Sequence, residues 1–257
     1  PPVKGSINSK EFFTEAYLPL VSGKAGVERL AIEAGLRIAD NSLAGNFNTW
    51  KFGVEYVPVE GIRARAMLQR AIRAPNLNEQ FAPLSFGLVE VSSDPCAGTA
   101  PVTNAALRAK CIAQGAPASA IGSINNPAAQ QAASIGGGAI PNGVKLDPEE
   151  ADTFTAGLQF NPTSLPGFSA SIDYYKIEVS GAIGSYPAQE ILDNCFTRNI
   201  SSFCSLVKRN SLGELEGDGV GIVVDTRNLA KLKAEGIDYA AGYSFDLPPR
   251  DPREDAE

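Results

Sequence analysis

Four cysteines have the most chemical reach in this sequence, and they fall into two local pairs, Cys96 with Cys111 and Cys195 with Cys204. Neither spacing is the C-x-x-C of a zinc site or redox centre. Both pairs lie in stretches that read as loops. The expected chemistry is two loop-stapling disulfides in an oxidising compartment; the alternative is four free thiols in a cytosolic protein. There is no histidine. Its absence removes the commonest metal ligand and general base, and any serine or cysteine triad that depends on imidazole. Glu149, Glu150 and Asp152 could be weighed as paired acids for glycoside chemistry. No second carboxylate cluster accompanies them, and the start of a strand accounts for them better. Gly136-Gly137-Gly138 could be weighed as a phosphate loop, but no Gly-Lys-Ser/Thr follows. The expectation is no enzyme, no catalytic residue, no metal site and no cofactor.

The arginines of Gly61–Phe81, GIRARAMLQRAIRAPNLNEQF, invite a nucleic-acid or catalytic reading. The stretch argues against both. Ile62, Ala64, Ala66 and Leu68 alternate with Arg63, Arg65, Met67 and Gln69, which is the period-two signature of a strand with one apolar and one polar face. Arg73-Ala74-Pro75-Asn76 ends the run, because proline cannot donate to a ladder. The net charge of −7 over 257 residues also argues against nucleic acid.

The elements around this strand share its pattern. Residues 8–18 alternate imperfectly, and 19–26 reads as a connection. Over 28–38, Leu30, Ile32, Ala34, Leu36 and Ile38 oppose Arg29, Glu33 and Arg37. Over 46–57, Trp50, Phe52, Val54 and Tyr56 oppose Thr49, Lys51 and Glu55. Further strands are expected at 152–160, 168–179 and about 229–245. Between them lie two long stretches, about 74–151 and 180–228. The first is rich in Ala, Gly, Pro, Asn and Ser, and a segment so long with so little periodicity is expected to be functional or disordered. Short helices are expected near 104–114, 188–196 and 203–209.

Link lengths impose an orientation. Short links at 19–26, 57–61 and 161–167 alternate with those at 39–46, 74–151 and 180–228, so the short turns after Leu18 share one end and both cysteine-bearing loops share the other. Long two-faced strands with short turns at one end and long loops at the other are the pattern of an outer-membrane barrel. The fold expected is all-β: an antiparallel meander forming part of a large transmembrane β-barrel, with long extracellular loops carrying short helices. The apolar face would meet outer-membrane lipid, with Trp50, Tyr56, Tyr174, Tyr239, Tyr243 and Phe245 suited to interfacial girdles. Core packing in a soluble sandwich is their alternative role. The lumen-facing candidates are Arg29, Glu33, Arg37, Lys51, Glu55, Arg63, Arg65 and Gln69, either as a wall contacting a plug or acidic substrate or as simple solvation of a wet interior. Arg70 and Arg73 are expected to snorkel to headgroups at the rim.

The chain resembles the barrel portion of TonB-dependent outer-membrane receptors, especially proteobacterial ones with cysteine-stapled loops. The matching residues are Gln69–Asn76 with Glu79 and Phe81, Leu146–Thr153, Leu165-Pro166-Gly167, Asp173-Tyr174-Tyr175, Ile177-Glu178 and Gly236-Ile237-Asp238. The resemblance implies uptake of a small-molecule nutrient (a siderophore, cobalamin or a carbohydrate) across the outer membrane of a Gram-negative cell. Energy would come from the TonB–ExbB–ExbD system through a plug domain. Such receptors have about 22 strands, so a fragment is expected: residues 1–247 as a partial barrel and 248–257 as a disordered charged tail. The rival function is a secreted or soluble β-sheet carbohydrate-binding module.

Overall fold

The protein is described here by a computed structural model covering residues 2–128, 131–229 and 231–246. In chain order the first strands are β1 (Ser9–Lys24), β2 (Val27–Asn41), β3 (Gly45–Val57), β4 (Ile62–Arg73), β5 (Ser85–Glu90), β6 (Gln131–Gly136) and β7 (Glu149–Phe160). They are followed by β8 (Phe168–Ser180), β9 (Ile183–Gly184), β10 (Val207–Lys208), β11 (Gly221–Val223), β12 (Arg227–Asn228) and β13 (Leu232–Tyr243). The helices are α1 (Leu77–Phe81), α2 (Ala100–Thr103), α3 (Ala105–Ala113), α4 (Ala188–Leu192) and α5 (Ser201–Cys204). A π-helical turn, Asp193–Thr197, extends α4.

Seven strands of 12 to 16 residues form one antiparallel sheet in the order β1-β2-β3-β4-β7-β8-β13. This wall is the expected meander, an unclosed part of a barrel. Strands of 3–10 residues suffice for most soluble sheets; these are longer. The register places the links at 25–26, 58–61 and 161–167 at one end and the two long connections at the other. Gly61 shows how tightly the short turns pack. Its φ of 85° is left-handed, and a Cβ there would collide with the Asn161 carbonyl.

Three expectations about element bounds are corrected. Residues 19–24 continue β1 and do not form a connection. Pro19 is tolerated because β1 is an edge strand of this sheet and its register shifts between Pro19 and Val21. The last strand is shorter than 229–245, spanning Leu232–Tyr243. The helix expected over 203–209 is only Ser201–Cys204, followed by β10. The helix near 104–114 forms as α3, its free N–H groups capped by the Asn104 side chain, which accepts from the Leu107 amide at 3.0 Å. The tail expected at 248–257 lies outside the described residues.

The structure adds most in the two long loops, which are ordered and joined to each other. β5, β6, β10 and β11 form a second sheet, order β10-β11-β6-β5, in which β11 from the second loop pairs parallel with β6 from the first. Beneath it lies a buried core containing Val91, Ile135, Ile191, Leu192, Leu206 and Ile222. The two loops thus fold into one body at one end of the wall.

Candidate functional site

Cross-strand register puts all eight lumen candidates on one face of the wall. Arg29, Glu33 and Arg37 alternate along β2; Lys51 faces Gln69, and Glu55 faces Arg65. They form a ladder of ion pairs. Arg37 pairs with Glu11; Lys51 with Glu33 at 2.5 Å and Glu15 at 3.1 Å. Glu55 receives Arg29 at 2.7 Å, Arg63, and the Tyr17 hydroxyl at 3.3 Å. Arg65 pairs with Asp173 at 2.9 Å. Gln69 lies on the same face without an ion partner. Sequence reasoning missed Glu11, Glu15, Tyr17 and Asp173. In NSKEFFTEAYL aromatic residues fall on both faces, so alternation there did not separate the acids from the apolar side.

Three of these contacts skip a strand, since Tyr17 on β1 also reaches Glu55 on β3, and glycine makes the other two possible. Lys51 on β3 lies across Gly35 of β2 to reach Glu15 on β1; a Cβ at Gly35 would stand 2.9 Å from the Lys51 Cε. Arg65 on β4 and Asp173 on β8 meet above Gly157 of β7, where a Cβ would collide with the Asp173 carboxylate. The polar face is concave. One hollow of about 760 Å³ is lined from Tyr17 on β1 through Glu33, Glu55 and Arg65 to Asp238 on β13.

The opposite face carries an apolar band that runs obliquely across the hydrogen-bonded rungs. Ignoring Ile72, the last apolar residue before the loop end is Phe12 on β1, Ile38 on β2, Trp50 on β3, Leu68 on β4, Phe154 on β7, Tyr174 on β8 and Ile237 on β13. Beyond it, on the rung Trp50–Arg70–Asp152–Glu178–Lys233, the face is already ionic from β4 onward. The limit slides by about one residue per strand. At about 3.3 Å per residue and about 4.8 Å between strands, that slope is about 35°, the inclination of transmembrane strands. The band's side chains are not buried by the protein: Leu68 is 49%, Ile172 50% and Tyr239 86% exposed.

At the rim the two arginines expected to snorkel do something else. Arg70 is on the apolar-band side but is held by Asp152, at 2.7 and 2.8 Å, and by Glu150 at 2.9 Å. Arg73 is on the polar side. Its guanidinium meets both Glu79 oxygens at 3.0 Å and Glu149 at 2.5 Å. Glu79 also closes a capping box with Asn76 at the start of α1, and Glu149 accepts from the Ile183 amide at 2.6 Å. Arg73 therefore clamps β4, β7 and the starts of both loops together. Opposite charges within reach outcompeted the headgroup role that position alone suggested.

The cysteines lie in the loop body. Cys96 is bonded to Cys111 and Cys195 to Cys204. Beside them, Asp94 of the first loop and Arg209 of the second make a bidentate pair at 2.6 and 2.7 Å with both side chains wholly buried. The Cys96 amide donates to Asp94, the Gly213 carbonyl accepts from Arg209, and the Phe196 ring lies 5.5 Å from the guanidinium. Gln189 of the second loop accepts from the Ser92 and Ser93 amides of the first.

The family described as TonB dependent receptor-like, beta-barrel matches residues 2–250. No curated protein matches. Among solved structures, the ferric enterobactin receptor PfeA of Pseudomonas aeruginosa is similar with a TM-score of 0.54 at 16% identity, covering 91% of this chain and 24% of that one. The siderophore receptor PirA of Acinetobacter baumannii gives 0.54 at 14% identity, covering 94% and 27%. PirA of P. aeruginosa gives 0.50 at 15% identity, covering 91% and 30%. The chain thus spans about a quarter of the length of the solved receptors it matches.

Proposed function

This chain belongs to the TonB-dependent receptor-like β-barrel family, and from that premise we propose that it forms a section of the wall of a Gram-negative outer-membrane transporter, with the loop body outside the cell. The family is one of receptors, not enzymes, and its barrels are outer-membrane proteins. The observation that carries the reading is the oblique apolar band. A sandwich must bury its apolar faces against a second sheet; this one leaves them exposed along a slope that matches a bilayer crossed by tilted strands. The band's ends suit the interfaces: Trp50 and Tyr174 near the loop end, Tyr56, Tyr243 and Phe245 near the turns.

On this reading the concave polar face lines the lumen. Arg29, Glu33, Arg37, Lys51, Glu55, Arg63, Arg65 and Gln69 meet water, a plug domain or the passing substrate there, and TonB–ExbB–ExbD supplies the energy. We assign the substrate to the ferric siderophores, because the solved receptors this chain resembles are named for them and one is a complex with enterobactin. Recognition is assigned to the loop body, since binding concentrates in loops held by a rigid scaffold.

Membrane partition and uptake test the two levels separately. The intact receptor is expected to sediment with outer membranes and to leave them only with detergent; release into buffer would restore the soluble carbohydrate-binding module. Cells lacking the receptor are expected to lose uptake of at least one iron-loaded siderophore from a panel. Unchanged siderophore uptake with lost uptake of cobalamin or a sugar would overturn the substrate class alone.

A further inference from the structure

Among the described residues β13 has an unpaired outer edge, and β1, at the other end of the sheet, runs in the same direction and does not pair with it. In hydrocarbon every backbone N–H and C=O needs a partner, so β13 requires a further strand, antiparallel as in bacterial outer-membrane barrels. The solved receptors, of which this chain spans 24–30%, have more than enough chain to supply one.

The inward face of β13 specifies what that strand must carry. The windows at Gly35 and Gly157 each let a side chain cross a strand to an opposite charge beyond it. A third window is built the same way. Tyr175 on β8 lies over Gly236 of β13, where a Cβ would stand 2.7 Å from the phenol oxygen. The hydroxyl is thus carried to the open edge, and it has no side-chain hydrogen bond among the described residues. The next inward residue, Asp238, stands directly opposite Asp173. Like charges in that arrangement repel. Arg65 neutralises Asp173, while Asp238 has no ion-pair partner among the described residues.

We propose that the strand pairing with β13 belongs to the same receptor and presents two specific inward residues. Opposite Gly236 it carries a hydrogen-bond acceptor for Tyr175, a carboxylate or carboxamide. Opposite Asp238, two residues earlier, it carries an arginine or lysine. The residue between them faces Ile237 in the lipid and is apolar. The order along that strand is basic, apolar, acceptor. This rests on the barrel reading above.

Disulfide mapping in the full receptor tests it, with Ile237→Cys paired against single cysteines placed along the other strands in native outer membranes. One strand is expected to cross-link, with a basic residue just before the linked position and an acceptor just after it. Tyr175→Phe is then expected to raise the unfolding rate about fivefold, the loss of one hydrogen bond. Removing the mapped acceptor should give the same effect, with no addition in the double variant. A linked strand with an apolar residue opposite Gly236, or an acid opposite Asp238, overturns the proposal and leaves the barrel intact. No cross-link to any strand, with Ile237→Cys labelled freely by a water-soluble thiol reagent, overturns both.

Discussion

The wall and the loop body are built inside out with respect to each other. The wall shows its apolar residues to its surroundings and gathers most of its ion pairs on the opposite, hollowed face. The loop body hides a core of Leu, Ile, Val and disulfide-bonded Cys, and buries its Asp94–Arg209 ion pair completely. On the proposed reading one chain does both because the two regions meet different solvents. Backbone pairing holds a sheet in lipid, where apolar side chains gain little by packing on each other. Burial, cross-links and satisfied polar groups hold a small body in water.

The sharpest way to break this comparison is to remove the buried carboxylate. Asp94→Ala leaves the Arg209 charge unpaired in a dry interior, which costs about 3–5 kcal/mol. The loop body is expected to lose protection in hydrogen exchange and limited proteolysis while β1 to β4 stay protected. Simultaneous loss of the wall strands would show that the two regions are one cooperative unit. Next comes the wall itself. Ala66→Arg puts a charge in the middle of the apolar band and is expected to cost about 2–4 kcal/mol, whereas Met67→Arg, one residue along on the polar face, should cost far less. Equal costs, measured as unfolding midpoints in detergent or bilayers, would mean the two faces do not meet different solvents. The smallest effect is local: Asn104→Ala removes the α3 cap and should destabilise the loop body by about 1 kcal/mol, seen as faster amide exchange in α3 with no change in the wall.

Much of the wall was legible because its information is local. Alternation of Arg63, Arg65, Met67 and Gln69 with Ile62, Ala64, Ala66 and Leu68 needs only the strand's own period. The link lengths then fixed which end carried the loops. The loop body was illegible for a matching reason. Gln131–Gly136 buries Ala132, Ala133, Ser134 and Ile135 in succession, so both sides are covered and its residues do not alternate. Asp94 meets Arg209 across 115 residues, a contact that no window of sequence contains.

The sequence by itself therefore determined the two faces of the wall strands after β1 and the positions of most of the turns, because side-chain period and turn chemistry are properties of neighbouring residues. Only the tertiary structure decided which acid each arginine holds. Arg73, expected at the headgroups, clamps Glu79 and Glu149 instead; Arg65 crosses Gly157 to Asp173. Those choices depend on distances between strands far apart in the chain, and ion pairs form where such distances fall within reach.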